Sequence, residues 1–377
     1  MTLLRRVNIL NFVRNFTVTS ILFLLPLHFV KAGYGGVKIG AIIAVLSVAP
    51  LMAAFPTGWI NDRFSMAGIV RAALLMVGLI FIVLAWTTNF PVVLAAFFLL
   101  GTANNALDVS LQSLYYKDET DIDQNRKYGI YVFWMGFGPV LGIAGGGLLT
   151  QVADFRALFL AFAAIMLAIL GIVRRFDGPR FHLVGFRDYG RDFFRPKTLL
   201  FVFFLFFLGL HWAVEGTVYA PFLQTRFGLN NFQASLFMAS ELFFLPLSAL
   251  LIGRRKFDPR ANKRLVLAAM ALSGAGMILT VTGSVFLSLG FRILHEIGDG
   301  VAGALIAVYI SRLFEKRSIG GSAALLLAIE ILAKMAGAMT LAPLGFRYGL
   351  QIPFYIAGGL LVADAIYGAF LFKRLDY

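Results

Sequence analysis

The chain has 377 residues, 60% of them hydrophobic and 14% charged, with a net charge of +14 and no cysteine. Soluble domains are roughly half apolar and a quarter charged. Repeated apolar runs long enough to cross a bilayer instead make this a polytopic α-helical membrane protein. The lack of cysteine excludes disulfides, thiolate metal sites, iron–sulfur clusters and a lipidated cysteine.

In chain order, apolar runs predict spans at about 8–30, 38–60, 68–87, 91–115, 128–150 and 155–173, then at about 198–223, 232–252, 264–283, 285–311, 319–342 and 350–372. The basic opening ending in Arg5 and Arg6 is signal-peptide-like, but the run after it carries Arg14 and Asn15 and has no small-residue cleavage site. It is therefore expected to be kept as the first span. The longest polar stretch, Phe176 to Pro196, separates the two series. The expected organisation is a six-helix half at 1–175, a cytoplasmic linker at 176–196 and a second six-helix half at 197–377. Such duplication is the usual build of secondary transporters, with the solute between the halves at mid-membrane.

Positive charge collects in alternate connections: Arg5 and Arg6, Arg63 and Arg71, Arg174 through Lys197, Arg254 through Arg264, and Arg312 through Arg317. The other connections hold little beyond Lys31, Lys38, Arg156, Arg226 and Arg347. By the positive-inside rule both termini are expected in the cytoplasm, with the protein in the cell (inner) membrane. The basic balance is thus a topology signal, and nucleic acid is not an expected partner.

Ionisable residues at membrane depth are costly and mark functional sites unless paired. Span one carries Arg14 and Asn15; span four carries Asn104, Asn105, Asp108 and Gln112. Span seven has His211 and Glu215, span eight Glu241, and span eleven Glu330 and Lys334. Span ten holds Arg292, His295, Glu296 and Asp299, whose spacing puts all four on one helical face. Spans three and nine carry almost no interior charge. Asp364, on span twelve, has no functional account. The aromatic residues Tyr131, Trp134, Trp212 and Tyr219 are expected to face the cavity.

The loop after the second span reads Gly58-Trp59-Ile60-Asn61-Asp62-Arg63. It resembles the start of the signature loop of the major facilitator superfamily. That resemblance implies a fold of twelve helices in two six-helix halves, with spans one, four, seven and ten lining the cavity. It also implies a cytoplasmic gate built from Gly58, Asp62 and Arg63, with Asp118 or Glu119 as partner of the arginine. The family pattern continues with glycine and two basic residues; here Ser65, Met66 and Ala67 stand instead, with only Arg71 further on. Gly138, Pro139 and Gly142 in span five resemble a motif of the antiporters of the superfamily, and also form a ladder for close helix packing.

In span ten, Arg292-Ile293-Leu294-His295 resembles the corresponding segment of the proton symporters related to lactose permease. This implies a proton-carrying His–carboxylate series and an acid–lysine pair between spans seven and eleven, here Glu215 and Lys334. Asp299 lies one position later than the family's acid, and Glu296 is additional. The expectation is a secondary transporter moving a small organic solute by alternating access with protons as the coupling ion. Asp299, His295, Glu296, Glu215 and Glu330 would carry the proton, and His211, Arg292, Lys334, Asp108, Arg14 and Asn104 would meet the solute. A proton-antiport efflux pump for hydrophobic or cationic compounds is the alternative. A polytopic lipid-processing enzyme is a distant one, since the loops hold no nucleotide, metal or nucleophile motif. No cofactor or metal is expected; lipid, the solute and protons are the partners, and the chain is expected to act as a monomer.

Overall fold

The computed structural model describes residues 2–34, 36–118, 123–175, 193–255, 258–315 and 318–374. The linker expected at 176–196 falls, up to residue 192, outside them, as does Glu119. The side chain of Asp62 is likewise outside the description. Among the described residues there is helix and no strand. With apolar side chains facing lipid, a helix satisfies its own backbone hydrogen bonds.

The first run is α1 (Leu3–Arg14), a π-helical turn (Asn15–Thr19) and α2 (Ser20–Lys31). Then follow α3 (Gly36–Arg63), α4 (Met66–Trp86), α5 (Phe90–Lys117), α6 (Gln124–Val152) and α7 (Phe155–Ala168), the last continued by a 3-10 turn (Ile169–Arg175). Beyond the linker lie α8 (Pro196–Thr217), α9 (Tyr219–Phe227), α10 (Asn231–Leu242) and α11 (Phe244–Gly253). The chain ends with α12 (Pro259–Leu279), α13 (Val285–Leu313), α14 (Ile319–Tyr348) and α15 (Ile352–Arg374). Nine helices among the described residues are long and apolar enough to cross a membrane. The protein is a multi-pass, all-helical membrane protein.

Several helix starts are written locally. Asn89, Asp154 and Asp258 each accept a hydrogen bond from a backbone N–H in the first turn of the helix they precede, and Asn230 with Gln233 forms a reciprocal capping box. The predicted seventh span is broken at Val218 into α8 and α9, where the Thr217 hydroxyl donates to the Ala213 carbonyl. The break seats Tyr219, fully buried, at the head of α9.

By contact the chain forms two compact units. Unit 1 comprises 1–119, 138–190 and 314–328; unit 2 comprises 120–137, 191–313 and 329–377. Within unit 1, α3 and α4 pack on α5, α4 on α7, and α1 on α5. Within unit 2, α12 packs on α13 and α15, α11 on α13, and α8 on α15.

The α12–α13 crossing positions the site described next. A Cβ on Gly276 of α12 would stand 2.7 Å from the backbone nitrogen of His295, so only glycine admits the approach. The prediction is that Gly276→Val, an overpacking change, costs roughly 1–3 kcal/mol. It would lower the unfolding temperature of detergent-solubilised protein, whereas Gly290→Ala, with nothing within 4 Å of its Cβ position, leaves that temperature unchanged.

Candidate functional site

Unit 2 encloses a polar cluster centred on Arg292, which is 1% exposed. Its Nη2 donates to Glu215 at 2.7 Å and to Glu296 at 2.6 Å, and its Nε donates to Glu241 at 3.1 Å. The guanidinium lies 4.5 Å from the centre of the Tyr219 ring, whose hydroxyl donates to Glu241 at 2.6 Å. Five helices contribute: α13 through Arg292, His295, Glu296 and Asp299; α8 through His211, Trp212 and Glu215; and α9, α10 and α12 through Tyr219, Glu241 and Ser273. Three carboxylates around one guanidinium leave the cluster acidic, and Asp299 adds a fourth.

Asp299 is held from three sides. Ser273 donates to Oδ1 at 2.6 Å, Trp212 Nε1 donates to Oδ2 at 3.3 Å, and His211 Nε2 lies 2.9 Å from Oδ2. His211 Nδ1 contacts the Leu208 carbonyl, and His295 Nδ1 contacts the Ser273 carbonyl at 3.0 Å and the Ser273 hydroxyl at 2.8 Å. A carbonyl only accepts, and the Ser273 hydroxyl donates to Asp299, so these contacts call for a hydrogen on each Nδ1. Each Nε2 then faces a carboxylate oxygen: His211 that of Asp299, and His295 that of Glu215 at 3.1 Å. Two acceptors do not attract, so each contact is a hydrogen bond only with a proton between nitrogen and oxygen.

Ligand-type atoms of His211, His295 and Asp299, and of Glu215, His295 and Glu296, lie within 4.8 Å of one another. Imidazole–carboxylate and guanidinium–carboxylate contacts already engage these atoms, and the set reads as a hydrogen-bond network.

Unit 1 holds the second polar cluster. Arg14 reaches Asp108 at 2.9 Å, and its Nη atoms point at Asn104, Asn11 and Asn15 at 3.4 to 3.5 Å. Arg14 is buried, so it does not snorkel to the membrane surface. The adjoining π-helical turn widens the backbone by one residue, a distortion frequent at functional sites. Asn15 fills part of the gap by donating to the Asn11 carbonyl at 2.8 Å, and Thr17 by donating to that of Val13 at 2.8 Å. Gly138 of α6 packs here, its Cβ position 2.6 Å from the Phe12 carbonyl, so the Gly-Pro segment serves close packing.

The span-ten quartet is brought together, with Glu215 and His211, as the sequence predicts. Glu215 pairs with Arg292 and His295, and among the described residues no direct ion pair joins it to Lys334, whose charge acts on it without contact. Lys334 lies on α14 with its Cε near Gly216. Arg292 is engaged by three carboxylates. Glu330 lies on α14 with its backbone against Gly209 of α8. Of the expected gate, Gly58 is buried in α3, Arg63 lies over the Trp59 ring at 4.3 Å, and Asp118 ends α5. Asp364 is buried, and neither carboxyl oxygen has a hydrogen-bond partner. Sequence reasoning missed Ser273, an uncharged residue in a span with almost no interior charge.

Arg292→Met takes the guanidinium from buried Glu241 and Glu296 and from the half-buried Glu215, which keeps His295, a loss of about 3–5 kcal/mol. Thermal unfolding in detergent checks this. Acidification should recover part of the loss in the variant, because protonated carboxyl groups need no counter-charge.

The Major Facilitator Superfamily model matches residues 7–283. The crystal structure of the human organic anion transporter MFSD10 (TETRAN) superposes with a TM-score of 0.80 at 16% identity, covering 98% of this chain and 100% of that one. No curated protein matches the sequence. With a family model spanning most of the chain, a shared fold over nearly its whole length and buried charge inside its helices, the chain belongs to the major facilitator superfamily and is a membrane transporter, not an enzyme.

Proposed function

We propose that this protein is a proton-coupled secondary transporter that moves a small organic solute by alternating access. The observation that carries the reading is the pair of histidines in unit 2. Each is tied by Nδ1 to a backbone carbonyl and turned by Nε2 to a carboxylate. Such contacts gain and lose protons as units, and loss of a proton sets two acceptors against each other. Asp299 and His211 form one proton site; Glu215 and His295 form the other. Glu296, Glu241 and Arg292 set the surrounding charge, and Ser273 positions both Asp299 and His295. Glu330 and Lys334 are secondary members of this pathway.

The helical segments fit twelve spans in two six-helix halves, and the alternate basic loops favour a cell-membrane protein with both termini in the cytoplasm. The chain is proposed to work as a monomer, with Gly58, Asp62, Arg63 and Asp118 at the cytoplasmic gate. Proton-antiport efflux of a hydrophobic or cationic compound is the second reading. The excess of carboxylates over fixed cations in the Arg292 cluster favours it, since such a site attracts cations. MFSD10 is described as an organic anion transporter. At this identity the likeness shows the fold, so the solute has to be read from the side chains of this chain.

Asp299→Asn is expected to abolish proton-driven accumulation in proteoliposomes while leaving the fold intact; undiminished pH-driven uptake would remove Asp299 from the mechanism. Ser273→Ala is expected to displace the pH profile of uptake, and Ser273→Thr, which keeps the hydroxyl, to retain it. An unchanged profile in both would make Ser273 a packing residue.

A further inference from the structure

We propose that the cluster of amides around Arg14 in unit 1 binds the carboxylate of a small organic acid, an assignment that rests on the transporter reading above. Asn8, Asn11 and Asn15 recur along α1 at helical spacing, and Asn104, Asn105 and Asp108 lie on α5, which packs against it. Four buried polar atoms on these packed stretches of α1 and α5 have no hydrogen-bond partner: Arg14 Nε, Asn11 Nδ2, Asn105 Nδ2 and Asn8 Oδ1. Asn11 is 0% exposed and Asn105 3%. An unpaired buried donor is expensive, and proteins rarely keep several together without a use for them.

The balance of these atoms selects the ligand. Three are donors and one is an acceptor. A carboxylate brings acceptors alone and matches that surplus. A polyol brings as many donors as acceptors and would find Asn8 Oδ1 and an Asp108 already held by Arg14. An ammonium group would find the same two acceptors beside a fixed guanidinium. Arg14 is suited to the role, because its planar fork recognises carboxylates and its amide contacts of 3.4 to 3.5 Å are long enough to yield to a charged acceptor. Asn15 is not available, since its amide is spent on the Asn11 carbonyl and side chain. That contact turns the Asn11 carboxamide so that Oδ1 accepts and Nδ2 stays free. Asp108, with its side chain 23% exposed, marks the open edge of the cluster. Arg14 and Asp108 cancel, so an acid anion adds one negative charge, which a proton carried in company balances.

The test uses the full chain in detergent, with acetate, lactate, succinate and benzoate set against their uncharged amides and against glucose. At least one acid should raise the unfolding temperature, and its amide and glucose should not. Asn11→Ala and Asn105→Ala should weaken that acid by roughly tenfold or more, the worth of a hydrogen bond to a charged group. Because the Asn105 Nδ2 donor is unpaired in the unliganded protein, Asn105→Ala should not lower the unfolding temperature without ligand, whereas Asn11→Ala also removes the Oδ1 that accepts from Arg14 and Asn15 and is compared with its own unliganded baseline. Equal stabilisation by amides or glucose, silence of all four acids, or wild-type affinity in both variants would overturn the assignment. Proton-driven uptake of the bound acid separates the two readings. An acid taken up normally by both variants overturns the cluster and keeps the transporter. An acid that binds through the cluster but never crosses the membrane keeps the site and overturns the transport reading.

Discussion

One guanidinium gathers three carboxylates inside unit 2. Arg292 contacts carboxylates from α8, α10 and α13 and lies over the ring of Tyr219 on α9. Desolvation of an unpaired charge costs several kcal/mol, so these helices are bound to a shared electrostatic centre as well as to apolar contacts. Interhelical packing in lipid lacks a hydrophobic driving force of its own, which leaves polar contacts and close backbone approach to fix the arrangement. The α12–α13 crossing supplies the second of these at Gly276, on the same stretch of helix that carries Ser273.

The two clusters differ in how their polar atoms are satisfied. In unit 2 every carboxylate around Arg292 has a donor, and the histidines are oriented by backbone carbonyls. Such a network is suited to moving protons, because the two histidine–carboxylate contacts hold only while a proton lies between nitrogen and oxygen. In unit 1 the pairing of Arg14 with Asp108 is accompanied by amide atoms that face nothing. A satisfied network and an unsatisfied one are suited to different tasks, and the proposals above follow that division.

Much of this was legible in the chain itself. The spacing of Arg292, His295, Glu296 and Asp299 determines that they share a face whatever the surroundings. The apolar runs and the alternation of basic loops identify a polytopic membrane protein. What spacing cannot convey is which cation meets which acid. Glu215 is equally able to pair with Lys334 or Arg292 on paper, and only the approach of α13 brings the guanidinium into contact with it. Ser273 was invisible for another reason: a serine between apolar residues has no signature until its neighbours across the helix crossing are known. The π-helical turn escaped as well, since Asn15 to Thr19 holds neither proline nor glycine to announce it.

That turn governs the register of everything before it. A π-helical turn accommodates one more residue than an α-helical one, so loss of a single residue between Asn15 and Thr19 lets the first run close into regular α-helix. Because the wider turn spends its additional residue on nearly the same total rotation, that closure keeps Asn8, Asn11 and Arg14 on the face they present to α5. Each residue of an α-helix advances the azimuth by about 100°. Loss of a residue within α1, where no wider turn absorbs it, would swing the part of the helix before it away from α5. The first run therefore tolerates a one-residue deletion in the π-helical turn better than in the regular helix beside it.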